Sequence, residues 1–280
     1  MDSEKGRRVY RHRVFTRVWH WLNLICLAVL LASGLQIFNA YPRLHWGQYG
    51  ANADKAFIEI LPEATADGGA RGVTRIGGLE LTTTGVLGLS KGPSGMVEGR
   101  AFPRWMTLPS YQDLATGRRF HFFFAWAFVA LLAAYGLHSA LSRHLRGDLL
   151  PTRDELAPRR LLAEIKDHAR LKVPRGEDAL RYNPIQKLAY LGVAFVLLPL
   201  MVLTGLTMTP GMDAAWPWLL DIFGGRQSAR TLHFISAGLI VLFVLVHVFE
   251  VILVGPVRAI GSMVTGWWTV EADKPAKEGL

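Results

Sequence analysis

Four long apolar blocks, each nearly free of charge, constrain this chain of 280 residues more than any other feature of its sequence. They are residues 18–38, 120–141, 185–208 and 231–254. A helix of roughly 20 residues rises about 30 Å, which matches the hydrocarbon core of a bilayer. A membrane-spanning strand needs only about 10 residues and alternates polar with apolar positions, unlike these blocks. The sequence therefore predicts a single all-α integral membrane domain over residues 1–280, built as a four-transmembrane-helix bundle.

The first block has one alternative interpretation, a cleaved signal peptide, because basic residues precede it. The block is longer than the roughly 7–15 apolar residues of such a peptide, and no small-x-small cleavage site follows it. We therefore expect a retained helix. This block also contains Cys26, the only cysteine of the chain. A single cysteine excludes an internal disulfide, a CxxC metal site and the CxxCH attachment of a covalent haem.

Basic residues predict the orientation of the helices. Residues 1–17, 142–187 and 255–280 contain 20 of the 31 Lys and Arg residues. Because loops rich in Lys and Arg stay on the cytoplasmic side, we expect both termini and the loop 142–184 to lie in the cytoplasm. The net charge of +9 then reflects membrane topology and contact with lipid, and nothing further in the sequence indicates a nucleic-acid partner.

The connection between the first two helices, residues 39–118, is too long to be a simple link. It is rich in glycine and proline, and we expect it to form a small folded cap on the outer face. Its segment Val73–Leu89 predicts a β-hairpin, because the Gly77-Gly78 pair between β-branched segments favours a tight turn. Two interpretations of this cap stay open, a loop that covers the bundle and a docking surface for a partner.

Histidines are the candidate functional residues, because ionisable side chains inside a bilayer are costly and usually functional. Five of the nine lie in or at the edges of the predicted helices, namely His20, His121, His138, His233 and His247. The last two are 14 residues apart, so they point to nearly one face at depths that differ by about 21 Å. Helix direction then predicts one pair, His20 with His247, near the cytoplasmic side and a second pair, His121 with His233, near the outer side.

Glycines fit a cofactor at each of these depths. Gly34 lies 14 residues after His20, on the same face of the first helix but at the outer depth. Gly136 falls near the inner depth on the second helix, although its angle to His121 is less favourable. A flat macrocycle needs a ligand at one depth and a missing side chain at the other. Ordinary close packing of helices is the alternative reading of these glycines, and together with the histidines we favour space for a cofactor.

Paired imidazoles between facing helices suit haem iron, whereas zinc would need about four ligands at one point. We therefore predict two non-covalent haem b groups, with His20, His247, His121 and His233 as the iron ligands. Arginines at the matching edges are candidates for contact with the haem propionates, with lipid-headgroup anchoring as the alternative; they are Arg118, Arg119 and Arg230 outside and Arg17 and Arg258 inside.

Two further ionisable residues have open roles. His138 lies 17 residues after His121, which turns it about 100° away from that face, and it competes with His20 as the partner of His247. It could instead serve a quinone or a propionate. Glu250 lies one turn beyond His247 and could relay protons at a quinone site there. Extension of its side chain to water is the alternative.

Motifs along almost the whole chain resemble the bacterial cytochrome b561/nickel-hydrogenase b-type cytochrome family. They are RVWHWLN (17–23), RRFHFFFAW (118–126), RHLRGDLLP (143–151), YNPIQKLAY (182–190), GRQSARTLHF (225–234) and TGWW (265–268). The resemblance is greatest to the branch described as thiosulfate reductase cytochrome b subunits or paired with a sulfite-oxidase-like molybdopterin enzyme.

This resemblance implies a four-helix core with two b-type haems that lies in the bacterial inner (plasma) membrane and passes electrons between the quinone pool and an attached redox subunit. In that membrane the outer loop 39–118 would be a periplasmic cap. Carried over by position, His20, His121, His233 and His247 fall where the ligands of the family stand, and His138 matches no ligand position. The resemblance implies an electron-transfer subunit of an oxidoreductase complex rather than an enzyme with its own substrate site. It does not determine the partner, because branches of the family serve hydrogenases, formate dehydrogenases and molybdenum reductases.

Two other functions remain as alternatives. Within redox chemistry, the chain could be a stand-alone quinol-oxidising b-type cytochrome. Outside it, the chain could be a cofactor-free membrane transporter or anchor. Such a transporter often contains discontinuous helices, and Pro199 in the third apolar block is the one indication of a break.

Overall fold

Four long apolar helices dominate the fold, which is taken from a computed structural model. The structure describes residues 7–51, 54–142, 145, 149–171, 180 and 182–270. The candidate membrane spans are Val14–Phe38 (α1), Leu114–Leu141 (α2), Pro184–Thr207 and Arg226–Val254 (α8). The outermost terminal residues, 1–6 and 271–280, which the sequence analysis assigns to the cytoplasm, lie outside the described residues. Each helix begins before the corresponding apolar block. Polar and basic residues extend the first turns of α1, α2 and α8, whereas the third span begins one residue earlier, at Pro184.

The third span is helical throughout but changes its winding. It consists of Pro184–Gly192 (α4), a π-helical segment Val193–Leu197 and Leu198–Thr207 (α5). Pro199 follows the π segment directly; proline lacks an N–H and clashes with the carbonyl four residues before it, and local rewinding relieves such a clash. The chain stays helical across Pro199, so the break considered for a transporter is not present here.

The described chain forms two compact units, and each helical span contributes to both. The first unit comprises residues 1–22, 132–198 and 239–280, and the second comprises residues 23–131 and 199–238. The His20 and His247 positions belong to the first unit. The His121 and His233 positions belong to the second.

The second unit contains a four-stranded antiparallel sheet between α1 and α2. Its strands, in spatial order, are Arg43–Leu44 (β2), Ile58–Ala64 (β3), Ala70–Ile76 (β4) and Leu79–Thr82 (β5). Strands β4 and β5 pair around Gly77-Gly78, from Ile76 opposite Leu79 to Val73 opposite Thr82. A short pair, Ser90–Lys91 (β6) and Val97–Glu98 (β7), and a 3₁₀ turn at Arg104–Met106 follow. The sequence analysis predicted one hairpin, and the structure places β4 and β5 in this larger sheet.

Apolar packing and buried polar side chains connect this loop to the ends of the helices. The buried cluster contains Phe38, Leu44, Ile58, Ile60, Ala101 and Phe102, and the ring of Phe38 stacks on Phe234 of α8 at 4.7 Å. Asn39 bonds both backbone groups of Phe102: its Nδ2 donates to the carbonyl at 3.1 Å, and its Oδ1 accepts from the amide at 2.8 Å. Because these polar groups are buried, loss of either hydrogen bond would leave a group unsatisfied and lower the stability of the fold.

A buried arginine makes a second connection. Arg100 donates to Gln36 Oε1 at 2.8 Å, to Thr107 Oγ1 at 3.1 Å and to the Ser110 carbonyl at 2.7 Å. Burial lowers the pKa of Arg100, although Glu98 nearby acts in the opposite direction. Gln36 is at the end of α1, so this cation ties the loop to that helix. Two short helices, Pro210–Ala215 (α6) and Trp218–Ile222 (α7), connect the third span to α8.

The first unit brings the two ends of the described chain together. Strands Arg7–Tyr10 (β1) and Trp267–Val270 (β8) pair antiparallel, with Arg7 opposite Val270. At Gly255, with φ +106°, the chain leaves α8 and enters Pro256–Thr265 (α9). Trp21 Nε1 donates to the Met263 carbonyl at 3.1 Å, so α9 is bonded to the start of α1. The sequence analysis predicted neither the terminal sheet nor α9.

The loop after α2 contains the amphipathic helix Pro158–Ala169 (α3). Lys187 at the start of the third span donates to both carboxylate oxygens of Glu155, at 2.9 and 3.0 Å. These bonds, with the Thr152 amide, lower the pKa of Glu155. Asn183 caps α4 by accepting the Gln186 amide at 2.8 Å. These contacts fix the loop against the beginning of the third span.

We expect Asn39→Ala to loosen the sheet-bearing loop, since it leaves the buried N–H and C=O of Phe102 without partners, at about 1–3 kcal/mol each. In detergent, the variant should unfold at a lower temperature and its loop should be cleaved faster by chymotrypsin. Arg71→Gln, which removes partly exposed ion pairs to Glu63 and Glu80, is the control and should change stability by about 1 kcal/mol or less. Equal effects of the two substitutions would contradict the role given to Asn39.

Candidate haem-binding histidine pairs

The second unit brings His121 of α2 together with His233 of α8. The centroids of the two imidazole rings lie 6.3 Å apart, and the ring planes meet at 64°. This is one of the two pairs that helix direction and depth predict from the sequence.

A serine hydroxyl orients the ring of His121. Ser33 Oγ on α1 lies 3.1 Å from His121 Nδ1 and donates its own hydrogen to the Val29 carbonyl at 2.6 Å. The Leu30 carbonyl, 3.3 Å from the same hydroxyl, is a second acceptor for the imidazole. Since a hydroxyl has one hydrogen and a carbonyl has none to give, Nδ1 carries the proton and donates. The lone pair of this neutral imidazole is therefore on Nε2.

A threonine hydroxyl orients the ring of His233 in the same way. Thr204 Oγ1 on α5 lies 3.0 Å from His233 Nδ1 and donates to the Leu200 carbonyl at 2.7 Å. The Met201 carbonyl, 3.3 Å from this hydroxyl, is again the second acceptor. Nδ1 of His233 is thus also the protonated nitrogen, and its Nε2 is free to bind a metal.

A glycine follows each of these hydroxyl residues. A Cβ atom at Gly34 would lie 3.3 Å from Cε1 of His121, and one at Gly205 would lie 3.4 Å from Cε1 of His233. The distance at Gly34 is tighter than an ordinary carbon–carbon contact, and the distance at Gly205 is at the lower limit of van der Waals contact. Gly34 therefore makes room for an imidazole, whereas the sequence analysis assigned it to the space of a macrocycle. The role of Gly34 in making space for a macrocycle stays a prediction.

The first unit brings His20 of α1 together with His247 of α8. Their ring centroids also lie 6.3 Å apart, with an angle of 60° between the planes. Nδ1 of His20 is buried and bonds no other described residue. The ring of His247 lies parallel to that of Phe243, with centroids 6.1 Å apart. A Cβ at Gly136, also in this unit, would meet no atom within 4 Å, so space is open there.

The spacing of both pairs fits a shared metal. A metal–imidazole bond of about 2 Å places the ring centroid about 3 Å from the metal, so two rings on opposite sides of it have centroids about 6 Å apart. Across the described residues, no three His, Cys, Asp or Glu side chains converge as a fuller protein metal site would require. Two imidazoles per site would hold a haem iron, and the porphyrin would supply its remaining donors. The donor sets therefore fit haem, and their role as its ligands stays a prediction.

His138 is not placed as a partner of His247. Its ring stacks on Phe15 of α1, with centroids 4.0 Å apart and 27° between the planes. The ring facing His247 is that of His20. The sequence analysis considered both His20 and His138 as partners of His247. In the structure His20 has this position and His138 does not.

The predicted propionate arginines have other contacts in the structure. Arg230 donates to the Tyr41 carbonyl at 2.6 Å and to the Arg43 carbonyl at 2.7 Å, and its guanidinium lies over the rings of Tyr41 and Phe38. Arg17 donates to the Val264 carbonyl. These bonds use only some of the guanidinium donors, so contact with a propionate stays a prediction for both.

The arginines near the start of α2 and in α9 are placed differently. Arg118 lies over the ring of Phe122, at 5.4 Å, and Arg119 is exposed at the start of α2. Arg258 lies over the ring of Trp268, at 5.9 Å. Lipid-headgroup anchoring remains open for these three residues.

Glu250 belongs to a polar cluster beside the His20–His247 pair. Its Oε1 lies 3.7 Å from His168 Nε2 on α3, and its Oε2 accepts from Gln186 Nε2 at 3.4 Å. His168 Nδ1 donates to the Glu164 carbonyl at 3.1 Å, so Nε2 of the neutral ring bears the lone pair and accepts from Asn183 Nδ2 at 3.4 Å. Both Glu250 and His168 are partly exposed. The cluster can exchange protons with water.

Sequence reasoning missed the residues that seat the imidazoles, Ser33, Thr204 and Gly205. Each of the two rings is positioned by a hydroxyl residue followed directly by glycine within an apolar helix, and we call each such residue pair a seat. The Ser33-Gly34 and Thr204-Gly205 pairs were visible in the sequence, but small residues in a membrane helix also indicate ordinary close packing. His168 was missed as a partner of Glu250, since nothing local relates residues so far apart in the chain.

Comparison with known proteins identifies the family. The model of the prokaryotic cytochrome b561 family matches residues 11–266. A protein of Azospira oryzae, named as a candidate protein-methionine-sulfoxide reductase subunit (YedZ1), is 27% identical over 255 residues, which are 91% of this chain and 96% of that protein. A protein of Cupriavidus necator, named as a Ni/Fe-hydrogenase B-type cytochrome subunit, is 29% identical over 98 residues, 31% of this chain and 40% of that protein.

These matches confirm the resemblance seen in the motifs, and with it the membrane assignment of the four apolar helices. Members of this family bind haem b. The chain belongs to the prokaryotic cytochrome b561 family and is a b-type cytochrome subunit that transfers electrons in a bacterial membrane.

Proposed function

We propose that this cytochrome holds two haem b groups and transfers electrons between the membrane quinone pool and an attached periplasmic redox subunit of the molybdopterin-dependent class. His121 and His233 hold one haem, and His20 and His247 hold the other. The observation that supports two haems most strongly is the repeated separation of 6.3 Å between facing imidazoles. With a single haem, the second pair of facing imidazoles would bind no cofactor.

Haem b, when bound, supplies one-electron exchange at its iron. The residues of the chain bind it, orient it and keep water away. Nε2 of each imidazole is the ligand atom, and the Ser33 and Thr204 hydroxyls fix two of the rings in the required tautomer. The mostly apolar helices around the pairs limit access of water. Ligation of the iron by two imidazoles would favour low-spin electron transfer over reaction with small molecules.

The quinone site is proposed beside His247. A quinone that exchanges two electrons also exchanges two protons, so its site needs a nearby proton acceptor and a route to water. Glu250, one turn after His247, supplies the first, and His168 Nε2 at 3.7 Å continues the route. The proton passes between the carboxylate and the imidazole lone pair. A placement of this site on the cytoplasmic side follows from the predicted orientation, with both termini in the cytoplasm.

A partner subunit is proposed for two reasons. The relative from Azospira oryzae is named as a subunit of a protein-methionine-sulfoxide reductase, and that from Cupriavidus necator as a subunit of a Ni/Fe-hydrogenase. The sheet-bearing loop of the second unit is also larger than a connection between two helices requires. We therefore propose that this loop faces the periplasm and contacts the partner. The molybdopterin class comes from the motif resemblance, and a stand-alone quinol-oxidising cytochrome is the alternative.

Haem content tests the two-haem assignment. The protein purified from membranes should contain about two haem b per chain, with the b-type α-band on reduction. His121→Ala, His233→Ala, His20→Ala and His247→Ala should each retain about one haem, since only one pair loses a ligand. His138→Ala, whose ring stacks on Phe15, is the control and should keep both. A ratio near zero would support the cofactor-free transporter or anchor instead.

Affinity purification at native expression tests the partner. In a mild detergent, a second subunit that contains molybdenum should co-purify in a ratio of about one to one. Metal analysis and mass spectrometry of the isolated complex give the readout. Isolation of the cytochrome alone, with full quinol oxidation, would favour the stand-alone alternative, and a co-purifying subunit without molybdenum would contradict the proposed class.

Substitution of the carboxylate tests the quinone site. Glu250→Gln and His168→Gln should each slow quinone-linked reduction and oxidation of the haems by about 10²-fold, because general acid–base groups contribute on that scale. Direct reduction by dithionite and haem content should not change. Glu164→Gln on α3 is the matched carboxylate control. Unchanged quinone-linked rates in Glu250→Gln would place the proton route elsewhere and favour simple extension of this side chain to water.

A further inference from the structure

We propose that the Ser33 and Thr204 hydroxyls lower the reduction potential of the haem held by His121 and His233, so that it is the lower-potential haem of the two. This inference rests on the proposed two-haem function and goes beyond it, because it assigns a tuning role to two residues that do not touch the iron. Their hydrogen-bonding pattern supports the proposal.

The two hydroxyls form the same local structure on different helices. Each donates to the carbonyl four residues earlier, Val29 for Ser33 and Leu200 for Thr204. Each then accepts from a histidine Nδ1, at 3.1 and 3.0 Å. A hydroxyl that donates to a carbonyl is a stronger acceptor, because hydrogen bonds in a chain polarise one another. Ser33 and Thr204 are both fully buried, so water does not compete for these bonds.

Such a bond changes the electron density of the ligand. Donation from Nδ1–H moves electron density toward Nε2 and raises the basicity of the imidazole. A more basic ligand stabilises ferric iron more than ferrous iron, which lowers the reduction potential. Both imidazoles of the His121–His233 pair have this bond, so the two effects act in the same direction on one iron.

The His20–His247 pair differs from this arrangement. Nδ1 of His20 is buried without a partner in the described part of the chain. One ligand of that pair thus lacks the donation that both ligands of the other pair make. The two pairs thus differ in the hydrogen bonds made by Nδ1 of their imidazoles. They do not differ in the distance between ring centroids, which is 6.3 Å in both.

Potentiometric titration of the purified full-length protein, followed at the haem α-band, tests this inference. The unmodified protein should titrate in two steps. In Ser33→Ala and in Thr204→Val the lower step should move to higher potential while the upper step stays, and the double variant should move it further. His20→Ala, with one haem remaining, identifies which step belongs to His121 and His233.

Two matched variants separate tuning from structural damage. Thr204→Ser keeps the hydroxyl and should titrate like the unmodified protein. Thr207→Val removes another fully buried hydroxyl of α5, which donates only to the Thr204 carbonyl at 2.7 Å, and should move neither step. Haem content must stay at two per chain in each variant used for the comparison; if both hydroxyl-deleting variants lose the haem, the tuning role is overturned and the hydroxyls are required for binding itself.

Three further results would overturn the inference. They are an unchanged lower step in both hydroxyl-deleting variants, a shift of the upper step instead, or an equal shift in Thr207→Val. None of these affects the haem count, so the proposed function would survive them. A protein with one haem or none would instead contradict the proposed function, and the haem analysis made before titration detects that case.

Discussion

The separation of the paired imidazoles is the constraint on which the rest of this structure depends. Rings whose centroids lie 6.3 Å apart are too far apart for tight stacking and close enough to share one metal. Small residues must then let each ring reach its position. At the His121–His233 pair, α2 and α8 supply the rings, while α1 and α5 supply the Ser-Gly and Thr-Gly seats. Four helical segments are therefore needed to hold one pair in the second unit.

A feature of this structure could be predicted from the sequence where residues within one segment of the chain determine it. The apolar blocks predicted all four helices, and the spacing of His233 and His247 with helix direction predicted both pairs. The Gly77-Gly78 pair indicated that its flanking strands meet, and β4 and β5 do pair there. The partners of those strands, and the pairing of β1 with β8 between residues 7 and 270, depend on contacts across the whole chain. No periodicity in one segment reveals them.

The arginines illustrate a different limit. Charge at a predicted helix end indicates a cation near the membrane edge but not the acceptor that it binds. At Arg230 two of the donors bind the Tyr41 and Arg43 carbonyls, because the folded loop brings these two backbone oxygens to the start of α8. Arg100, which the sequence analysis did not single out, is the more buried cation and bonds Gln36. Buried cations need acceptors, and only the packed loop determines which ones are available.

The surroundings of the two pairs suit the different chemistry that the proposed function requires of them. Electron transfer to a protein partner requires rigid ligands and no proton, and the His121–His233 rings are held by hydroxyls that are themselves bonded to carbonyls. Exchange with a quinone requires protons as well, and the His20–His247 pair has Glu250 and His168 beside it, both partly exposed. Proton exchange needs a site that reaches water, whereas a fixed potential needs ligand bonds that water does not disturb. Separate units of one chain can satisfy both requirements, because each pair has its own set of contacts.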